Sequence, residues 1–423
     1  MAVGDQNPDP GPTKPCVIIV GGGFAGLECA RSLARAPVDI VLIDRQNHHC
    51  FQPLLYQVAT AALSPADIAW PIRAILSQQS NLRVVMANVT AIDTKAQFVQ
   101  ADALCLPYDY LVLASGVTHA YFGRDEWAAA APGLKTIEDA RHIRARFLLA
   151  FERAETAADD VARRKLLTFV VVGGGPTGVE MAGAMAEVAH ETLKEDFRRI
   201  DPRMSRIVLI EAGPRILPAL PDNLSGYAKG VLERMGVEVM ANTRVTDCTR
   251  DGVTLGDGTR IEASTIVWAA GVVASPAAQW IGAEHDRADR IVVNAELSVP
   301  GLPNVFVAGD LASVRDVPGI APAAKQMGKY IGRLIAARAQ GREQTEPFRY
   351  SHAGDLATIG RRAAVVKIGR FELTGFLAWW FWGVAHVYFL IGLRNRFVVA
   401  ITWLWSWLTF RRGARLISAV EEE

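Results

Sequence analysis

A glycine-rich motif, Gly-x-Gly-x-x-Gly, occurs twice in this chain, first at Gly21 and again 152 residues later at Gly173. In each copy a short apolar run, typical of a buried parallel strand, precedes the motif, and a helical pattern follows it. Glycine at these positions permits a tight turn, a close approach of the backbone to a pyrophosphate, and close packing of the helix on the strand. Free N–H groups at the start of the helix attract phosphate. The repeat therefore predicts two dinucleotide-binding sites.

An acidic residue follows the next predicted strand in each copy. Asp44 comes 18 residues after Gly26, and Glu211 comes 33 residues after Gly178, because a longer helix and connection intervene. A carboxylate at this position accepts hydrogen bonds from a ribose, and it repels the 2′-phosphate of NADPH. Glu211 therefore favours NADH, although Arg215 lies close enough in sequence to pair with a phosphate, which leaves NADPH open.

The rest of the pattern predicts further strands and helices. Two buried strands end in small residues, at Gly116 and Gly271, where the backbone can lie against a flat ligand. A third ends at Asp310 and is followed by a helix over residues 321–336, whose dipole would stabilise an anionic reduced flavin. The other predicted segments are helices over residues 27–36, 138–155 and 179–197, one strand with its exit over residues 82–93, and a polar bridge over residues 156–164.

The composition excludes several classes of protein. A formal net charge of +1 gives no general attraction to nucleic acid. The five cysteines are scattered and form no C-x-x-C pair, which argues against a disulfide framework, a zinc site and a redox-active thiol pair. Residues 1–15 are polar and proline-rich, contain no apolar signal segment and are predicted to form a disordered tail.

The end of the chain is apolar and rich in tryptophan. Residues 375–393 are almost continuously apolar, residues 397–410 form a second such run, and no Asp or Glu occurs between positions 373 and 420. The first run approaches the length needed to cross a bilayer core, and the second does not. Because clustered tryptophans and flanking arginines suit the headgroup region, we expect two helices that lie in the membrane interface. A single span by residues 375–393 and a buried helix pair in a dimer or core stay open.

Together these motifs resemble those of flavoprotein reductases with two dinucleotide domains, and within them the type II NADH:quinone oxidoreductases, single-subunit enzymes that pump no protons. The segments that carry the resemblance are residues 21–26, 51–56 (FQPLLY), 173–183, 308–310, 321–327 and 356–361 (LATIGR), with the aromatic C-terminus. The resemblance implies FAD at the first motif and NADH at the second. It also implies hydride transfer from NADH to one face of the flavin, and quinone reduction at the other.

The resemblance extends to the residues of each site. The implied FAD contacts are Gly21, Gly23, Phe24, Ala25, Gly26, Asp44, Arg45, Pro53, Leu54, Leu55, Val89, Ala114, Ser115, Gly116, Gly309, Asp310, Lys325, Gln326 and Met327. The implied NADH contacts are Gly173, Gly175, Pro176, Thr177, Gly178, Glu180, Glu211, Ala270 and Gly271. No metal ligand is implied.

Three residues are implied in catalysis: Glu180 near the junction of nicotinamide and flavin, and Lys325 and Gln326 beside the flavin. Glu180 also fits an ordinary helix acid, since Glu28 occupies the same place in the first repeat, and both interpretations stay open. Some members of the family carry a glutamine where this chain has Pro322, while Gln326 is kept. We therefore expect quinone contacts at Gln326 rather than at position 322.

The predicted fold class is α/β, with two Rossmann-like dinucleotide-binding domains, the second inserted in the first, and a C-terminal membrane-associating helical segment. The predicted domains are residues 16–120 with 290–345 for FAD, residues 160–289 for NADH, and residues 346–423 for C-terminal strands and amphipathic anchoring helices.

The expected partners are a membrane quinone, the bilayer surface through residues 375–415 and a second copy of the chain, but no nucleic acid. The resemblance places the protein on the cytoplasmic face of the inner membrane. Two alternatives stay open: a soluble NAD(P)H reductase for a small iron–sulfur protein, which needs no aromatic tail, and a flavin-containing membrane redox sensor. Disulfide reductases and sulfide:quinone reductases need paired thiols, and only Cys50 lies near the expected flavin region.

Overall fold

The computed structural model describes residues 14–343, 346–409 and 413–417 of the chain. The chain forms two compact units, each assembled from separate stretches of sequence. The first unit contains the chain up to His49, Pro71–Val117 and Val273–His352, and the second contains Cys50–Trp70, Thr118–Val272 and the chain from Ala353 onward. The predicted tail over residues 1–15 lies outside the described residues, apart from Lys14 and Pro15.

The first unit is built around a six-stranded sheet with the first glycine motif at its centre. From edge to edge the strands are Ser298–Val299, Leu302–Val307, Tyr110–Leu113, Cys16–Val20, Asp39–Asp44 and Leu82–Met86. All neighbouring strands run parallel except the first pair in that order. Val17, Ile18 and Ile19 are fully buried, as expected for a central parallel strand covered on both faces.

Glycines let the long helix Ala321–Ala339 approach the first motif helix, Phe24–Ser32. A methyl group at Gly328 would overlap the carbonyl oxygen of Ala25, and one at Gly332 would lie 2.6 Å from the Ser32 Cβ. Helices come this close only where one of them lacks a side chain. The segment that carries Lys325, Gln326 and Met327 is therefore held in the same unit as the first motif.

The second unit repeats the centre of the first sheet. Its four parallel strands are, in order, Val237–Met240, Arg206–Ile210, Thr168–Val172 and Thr265–Trp268. In both units the motif strand lies between a strand that leads to an acidic residue and a strand that leads to small residues. The sequence repeat is thus a repeat of topology, and the predicted α/β class with two Rossmann-like sheets is confirmed.

The end of the chain forms a small sheet and two helices. The C-terminal sheet contains Asp355–Ile359, Ala363–Ile368 and Phe371–Thr374, all antiparallel. The first C-terminal helix, Gly375–Phe389, and the second C-terminal helix, Leu393–Thr409, follow it. Of all the helices that the structure describes, none combines the length and the apolar character needed to cross a membrane.

The remaining elements are shorter or connect these parts. The strands are Val89–Asp93, Phe98–Ala101, Leu104–Pro107, Ile291–Val292 and Ala312–Ser313 in the first unit, Val245–Thr249, Gly252–Leu255 and Arg260–Glu262 in the second, and His48–Cys50, Ala69–Pro71, Val117–His119 and Val272–Ala274 where the chain passes from one unit to the other. The helices are Leu55–Ala59, Pro65–Ile68, Ile72–Ile75, Ile137–Thr156, Asp160–Leu166, Pro176–Glu187, Asp222–Arg234 and Ala277–Ile281. Short 3-10 turns occur at Gln52–Leu54, Asp125–Ala129, Pro202–Met204 and Gly309–Leu311.

The secondary structure predicted for two segments is wrong. The polar bridge predicted over residues 156–164 contains the start of a helix, Asp160–Leu166, because the Asp159 carboxylate caps it by accepting a hydrogen bond from the Ala162 N–H at 2.7 Å. The strand predicted over residues 82–93 is two strands, which belong to different sheets.

The predicted helix boundaries also need correction. The first motif helix runs from Phe24 to Ser32 rather than over residues 27–36, because it begins directly at the glycine turn. The second motif helix, Pro176–Glu187, is shorter than the predicted 179–197 and passes into a π-helical turn, Val188–Thr192. The second C-terminal helix begins at Leu393 rather than at residue 397.

We expect the Gly328→Ala substitution to lower the free energy of unfolding by about 1–3 kcal/mol, since the added methyl group overlaps the Ala25 backbone. Thermal unfolding followed by circular dichroism measures the effect. The matched control is Gly226→Ala, also in a helix, where a Cβ meets no atom within 4 Å. That variant should be neutral or more stable by up to about 1 kcal/mol. Equal stability of the two variants would contradict the close packing of the two helices.

Candidate functional site

The two glycine motifs have the same backbone geometry. Gly21 has φ +108° and Gly173 has φ +110°, in the region that favours glycine. A Cβ at Gly26 would overlap the carbonyl oxygen of Gly21, and a Cβ at Gly178 would overlap that of Gly173. Close contact between turn and helix therefore requires glycine at both ends of each motif.

The middle glycines, by contrast, face open space. A Cβ at Gly23 or Gly175 would meet no atom within 4 Å. These residues are the N-caps of the two motif helices, and within the described chain neither helix start has a side-chain cap or an acidic residue in its first turn. Uncapped N–H groups beside open space can bind a pyrophosphate.

Asp44 and Glu211 support the two motifs in the same way. Asp44 Oδ2 accepts a hydrogen bond from the Gly22 N–H at 2.5 Å, and Glu211 Oε2 accepts one from the Gly174 N–H at 2.6 Å. The other carboxylate oxygen accepts the N–H of the residue two positions later, at 2.7 and 2.6 Å respectively. Both side chains are half-buried next to the middle of the motif, where a ribose can meet them.

Arg215, which was considered for phosphate binding, and Arg45, an implied FAD contact, differ in their surroundings. Arg215 forms an ion pair with Asp222 and donates a hydrogen bond to the Pro218 carbonyl oxygen at 3.0 Å. Arg45 is exposed directly after Asp44. The guanidinium group beside Glu211 is therefore already occupied within its own loop.

The other predicted contacts separate by unit. The predicted NADH contacts all lie in the second unit, and the predicted FAD contacts lie in the first, except Pro53, Leu54 and Leu55, which lie in the second. In the first unit the Met327 sulfur accepts the Gly309 N–H at 3.2 Å. The Gln326 side chain makes two hydrogen bonds of 2.9 Å with the backbone of Ser351, which hold its amide group in place.

His49 is a buried residue that packs against the first motif. Its Nδ1–H donates to the Gly22 carbonyl oxygen at 3.1 Å, and its ring packs edge-on against Phe24 with centroids 4.9 Å apart. Burial lowers the pKa of His49 to about 4, so the ring is neutral at physiological pH. Its Nε2 has no hydrogen-bond partner among the described residues.

Glu180 differs from its counterpart in the first repeat. Its side chain is 8% exposed, whereas Glu28 is half-buried. Burial raises the pKa of Glu180 to about 8, and the N–H groups of Thr358 and Trp382 offset part of that rise. The Thr358 N–H donates to Glu180 Oε1 at 3.4 Å. Glu180 is therefore largely protonated at neutral pH, unlike an ordinary surface acid.

The Glu180 side chain lines a cleft inside the second unit, here named the tryptophan cleft. Its empty volume, including the part open to solvent, is about 700 Å³. One wall is the second motif helix with its π-helical turn, which contribute Glu180, Glu187 and Glu191. The facing walls come from the C-terminal helices and are dominated by tryptophan: Trp379, Trp382, Trp403 and Trp407.

Two segments that the sequence singled out meet at this cleft. In the FQPLLY segment and just after it, Gln57 Nε2 donates to the Tyr56 hydroxyl at 2.9 Å, and Gln57 Oε1 accepts the Trp403 indole N–H at 2.7 Å. In the LATIGR segment, the Arg361 N–H donates to Glu187 Oε1 at 2.6 Å, and its guanidinium group donates to the Ser406 carbonyl oxygen. Both segments therefore attach the second C-terminal helix to the cleft.

Sequence reasoning missed Gln57, Trp382 and Trp403 as site residues. The aromatic tail and the FQPLLY segment were both recognised, but no local pattern pairs them. The contact between Trp403 and Gln57 joins residues 346 positions apart. Within the described ranges, no group of three or more His, Cys, Asp or Glu side chains is arranged to hold a metal ion.

The chain matches known proteins along almost its whole length. The pyridine nucleotide-disulphide oxidoreductase family matches residues 15–328, and the NDH2 C-terminal domain matches residues 352–412. The type II NADH:quinone oxidoreductase Ndh of Mycobacterium tuberculosis is 46% identical over 421 residues, covering 96% of this chain and 91% of that protein. The type II NADH:quinone oxidoreductase NdhA of the same organism is 45% identical over 419 residues, covering 95% and 89%.

The fold also matches solved structures. NDH2 from Plasmodium falciparum, solved in complex with NADH, superposes with a TM-score of 0.89 and covers 96% of this chain and 100% of its own. At 21% sequence identity this likeness concerns the fold alone.

The paired motifs allow a matched pair of substitutions, Gly26→Ala and Gly178→Ala. Each places a methyl group on the preceding turn, so each should disrupt only its own nucleotide site. We expect Gly26→Ala to purify with little FAD, and Gly178→Ala to keep FAD but bind NADH roughly tenfold or more weakly. Flavin absorbance per protein and a titration of flavin bleaching with NADH measure the two effects. If both variants lost flavin equally, the motifs would not be separate sites.

Proposed function

Because the chain belongs to the type II NADH:quinone oxidoreductases, within the pyridine nucleotide-disulphide oxidoreductases, we propose which of its residues carry out each part of that reaction. The protein is an FAD-dependent oxidoreductase that takes a hydride from NADH and passes two electrons to a quinone. The observation that carries this conclusion is the pair of matched glycine turns in a chain that also has the NDH2 C-terminal domain. Because the chain has that domain, the two alternatives, a reductase for a small iron–sulfur protein and a flavin-containing redox sensor, are not favoured.

The residues around the first motif fit FAD. The open space at Gly23 and the uncapped start of the first motif helix suit its pyrophosphate, and the half-buried Asp44 carboxylate suits its ribose. When bound, FAD supplies the group that accepts a hydride and releases two electrons. We assign the predicted FAD contacts of the first unit to holding this cofactor. The catalytic roles of Lys325 and Gln326, and the quinone contact at Gln326, remain predictions.

The second motif is assigned to NADH. Its geometry matches the first, and Glu211 takes the place of Asp44. A negative charge at this position opposes a 2′-phosphate. The Glu211 carboxylate therefore supports a preference for NADH over NADPH.

The reaction needs one proton from water. NADH, a proton and a quinone give NAD⁺ and a quinol: the hydride carries two electrons and one hydrogen nucleus, and the second hydrogen of the quinol must come from solvent. We assign Glu180 to hold this proton, since burial keeps its carboxyl group protonated at neutral pH and its side chain lines the tryptophan cleft. The apolar walls of that cleft suit a quinone.

A lipid surface is the proposed contact of the two C-terminal helices. Their outer faces expose many apolar side chains: Phe376, Leu377, Trp380, Phe381, Val384, Tyr388, Phe389, Leu393, Phe397, Ile401, Leu404, Trp405 and Leu408. Arg394 and Arg396 lie in the same segment, which contains no acidic residue. Such a surface suits burial in the headgroup region of anionic lipid. Arg411 and Arg412, the predicted flanking charges, lie outside the described residues.

We also propose that the protein works as a homodimer on the cytoplasmic face of the inner membrane. The strand Phe371–Thr374, at one edge of the C-terminal sheet, is exposed along its whole length and is available for pairing. The predicted domain boundaries at residues 16–120, 160–289, 290–345 and 346–423 remain a prediction.

The proton assignment predicts the pH dependence of turnover. Quinone reduction should fall as the pH rises through about 8, because the Glu180 carboxyl group then loses the proton that it must donate. In the Glu180→Gln variant, quinone turnover should be about 100-fold lower. Its pH profile should no longer show this fall at alkaline pH, here named the alkaline limb. Ferricyanide accepts electrons without protons, so its reduction should change much less. Steady-state rates with both acceptors across the pH range measure this.

The matched control is Glu28→Gln, the equivalent acid of the first repeat. It should keep wild-type rates with both acceptors. An unchanged pH profile in Glu180→Gln would exclude Glu180 as the group that holds the proton.

The lipid assignment predicts that Leu377→Glu combined with Leu404→Glu weakens binding to vesicles of anionic phospholipid. Removing each exposed leucine from the apolar surface should cost about tenfold in partition coefficient. Turnover with a long-tail quinone in vesicles should fall in parallel, while ferricyanide reduction stays. Co-sedimentation with vesicles measures binding. Met204→Glu, at a residue 77% exposed elsewhere in the second unit, is the control and should bind normally. Wild-type binding by the double variant would contradict the proposed surface.

A further inference from the structure

Two buried indole N–H groups line the tryptophan cleft. Trp382 Nε1 and Trp407 Nε1 line the cleft, and within the described chain neither makes a hydrogen bond of ordinary geometry. A buried donor left unpaired is destabilising, and native proteins keep few of them. The Trp382 N–H is therefore available to an acceptor that lines the same cleft.

The Trp382 ring is held in one position by its neighbours. It is 2% exposed, although it lies on a helix whose outer face is open. It packs against His386 with centroids 4.3 Å apart and against Trp403 with centroids 5.1 Å apart. His386 Nδ1–H donates to the Trp382 carbonyl oxygen at 2.8 Å, and Trp403 is itself tied to Gln57. The direction of the Trp382 N–H is therefore a fixed feature of the C-terminal helix pair.

An acceptor for this N–H is the Glu180 carboxyl group, the buried one of the three carboxyl groups that line the same cleft. Its one hydrogen bond from the described backbone, from Thr358, is long at 3.4 Å. The Trp382 N–H favours the ionised form and so lowers the pKa of Glu180, in opposition to burial, which raises it. Both side chains line the same cleft, where an indole N–H can donate to the carboxyl group and stabilise its ionised form.

We propose that Trp382 is a positioning residue for the reaction: its indole N–H orients the Glu180 carboxyl group toward the cleft and stabilises the carboxylate left after proton donation. The inner face of the first C-terminal helix then takes part in proton transfer, while its outer face meets lipid. The proposal rests on the proposed role of Glu180 as the proton-holding acid.

Other titratable groups lie around Glu180 and could also change the pH dependence of turnover. Tyr56, Glu187, Glu191 and Arg361 line the same cleft, and His386 lies behind Trp382. Burial lowers the pKa of His386 to about 4, so this ring stays neutral throughout an assay at neutral and alkaline pH. Variants must therefore leave all five of these groups in place.

The experiment compares Trp382→Phe with Trp380→Phe in the full-length, FAD-loaded protein. Trp380 lies on the same helix but is 53% exposed and does not line the cleft. Loss of the N–H removes a stabilising contact from the carboxylate, so the pKa of Glu180 rises. We expect the alkaline limb of quinone turnover to move up by roughly one pH unit in Trp382→Phe and to stay in place in Trp380→Phe.

A second readout does not depend on turnover. The infrared band of the protonated Glu180 carboxyl group, assigned through its loss in Glu180→Gln, should shift in frequency and titrate at higher pH in Trp382→Phe. The proposal would be overturned if the alkaline limb and the infrared band were unchanged in Trp382→Phe but both were lost in Glu180→Gln. The role of Glu180 would then remain intact. If Glu180→Gln kept the limb, the role of Glu180 would fail instead, and the infrared band would still report whether Trp382 acts on it.

Flavin content and thermal unfolding show whether Trp382→Phe is folded. Should it not fold, replacement of Trp382 by the benzothiophene analogue of tryptophan removes only the N–H and keeps the ring that packs against His386 and Trp403. The same shift of limb and band is expected, and its absence would overturn the proposal.

Discussion

The overlap that any side chain at Gly26 or Gly178 would make with the preceding turn is the constraint on which both nucleotide sites depend. It forces each motif helix to begin directly at the end of its strand, with its N–H groups uncapped and facing open space. The acidic residue on the neighbouring strand then completes the turn by accepting the N–H of the glycine between. In the proposed assignment, the same backbone geometry therefore holds two chemically different cofactors, and the residues around each copy decide which one binds.

What surrounds the second copy is the C-terminal part of the chain. The second motif helix continues past its glycine turn to Glu180, and Thr358 and Trp382 cover that side chain. In the proposed function, the first C-terminal helix has a different role on each face. Its inner positions, among them Ala378, Trp382 and His386, are buried at intervals of four residues, while its outer positions expose apolar rings suited to lipid.

Much of this could be predicted from sequence because the signals are local. The strands beside both motifs, Asp44 and Glu211 at their ends, and Pro322 in the first turn of its helix depend on residues a few positions apart. At one place where the predicted secondary structure was wrong, a local contact of a side chain with the backbone was the cause. The Asp159 carboxylate caps a helix that starts inside the predicted polar bridge. Glu180 could not be told from Glu28 by sequence, since both stand at the same place after a glycine turn.

The sequence by itself determined that the chain has two nucleotide turns, an acidic residue at each and an apolar tail, because turn sterics and hydrophobic periodicity act over short distances along the chain. Only the tertiary structure decided which of two equivalent acids is buried, and which tryptophans face inward. Burial is a property of contacts between distant segments: Thr358 reaches Glu180 across 178 residues, and Trp403 reaches Gln57 across 346. The protonation state of Glu180 follows from that burial, so no local pattern could have predicted it.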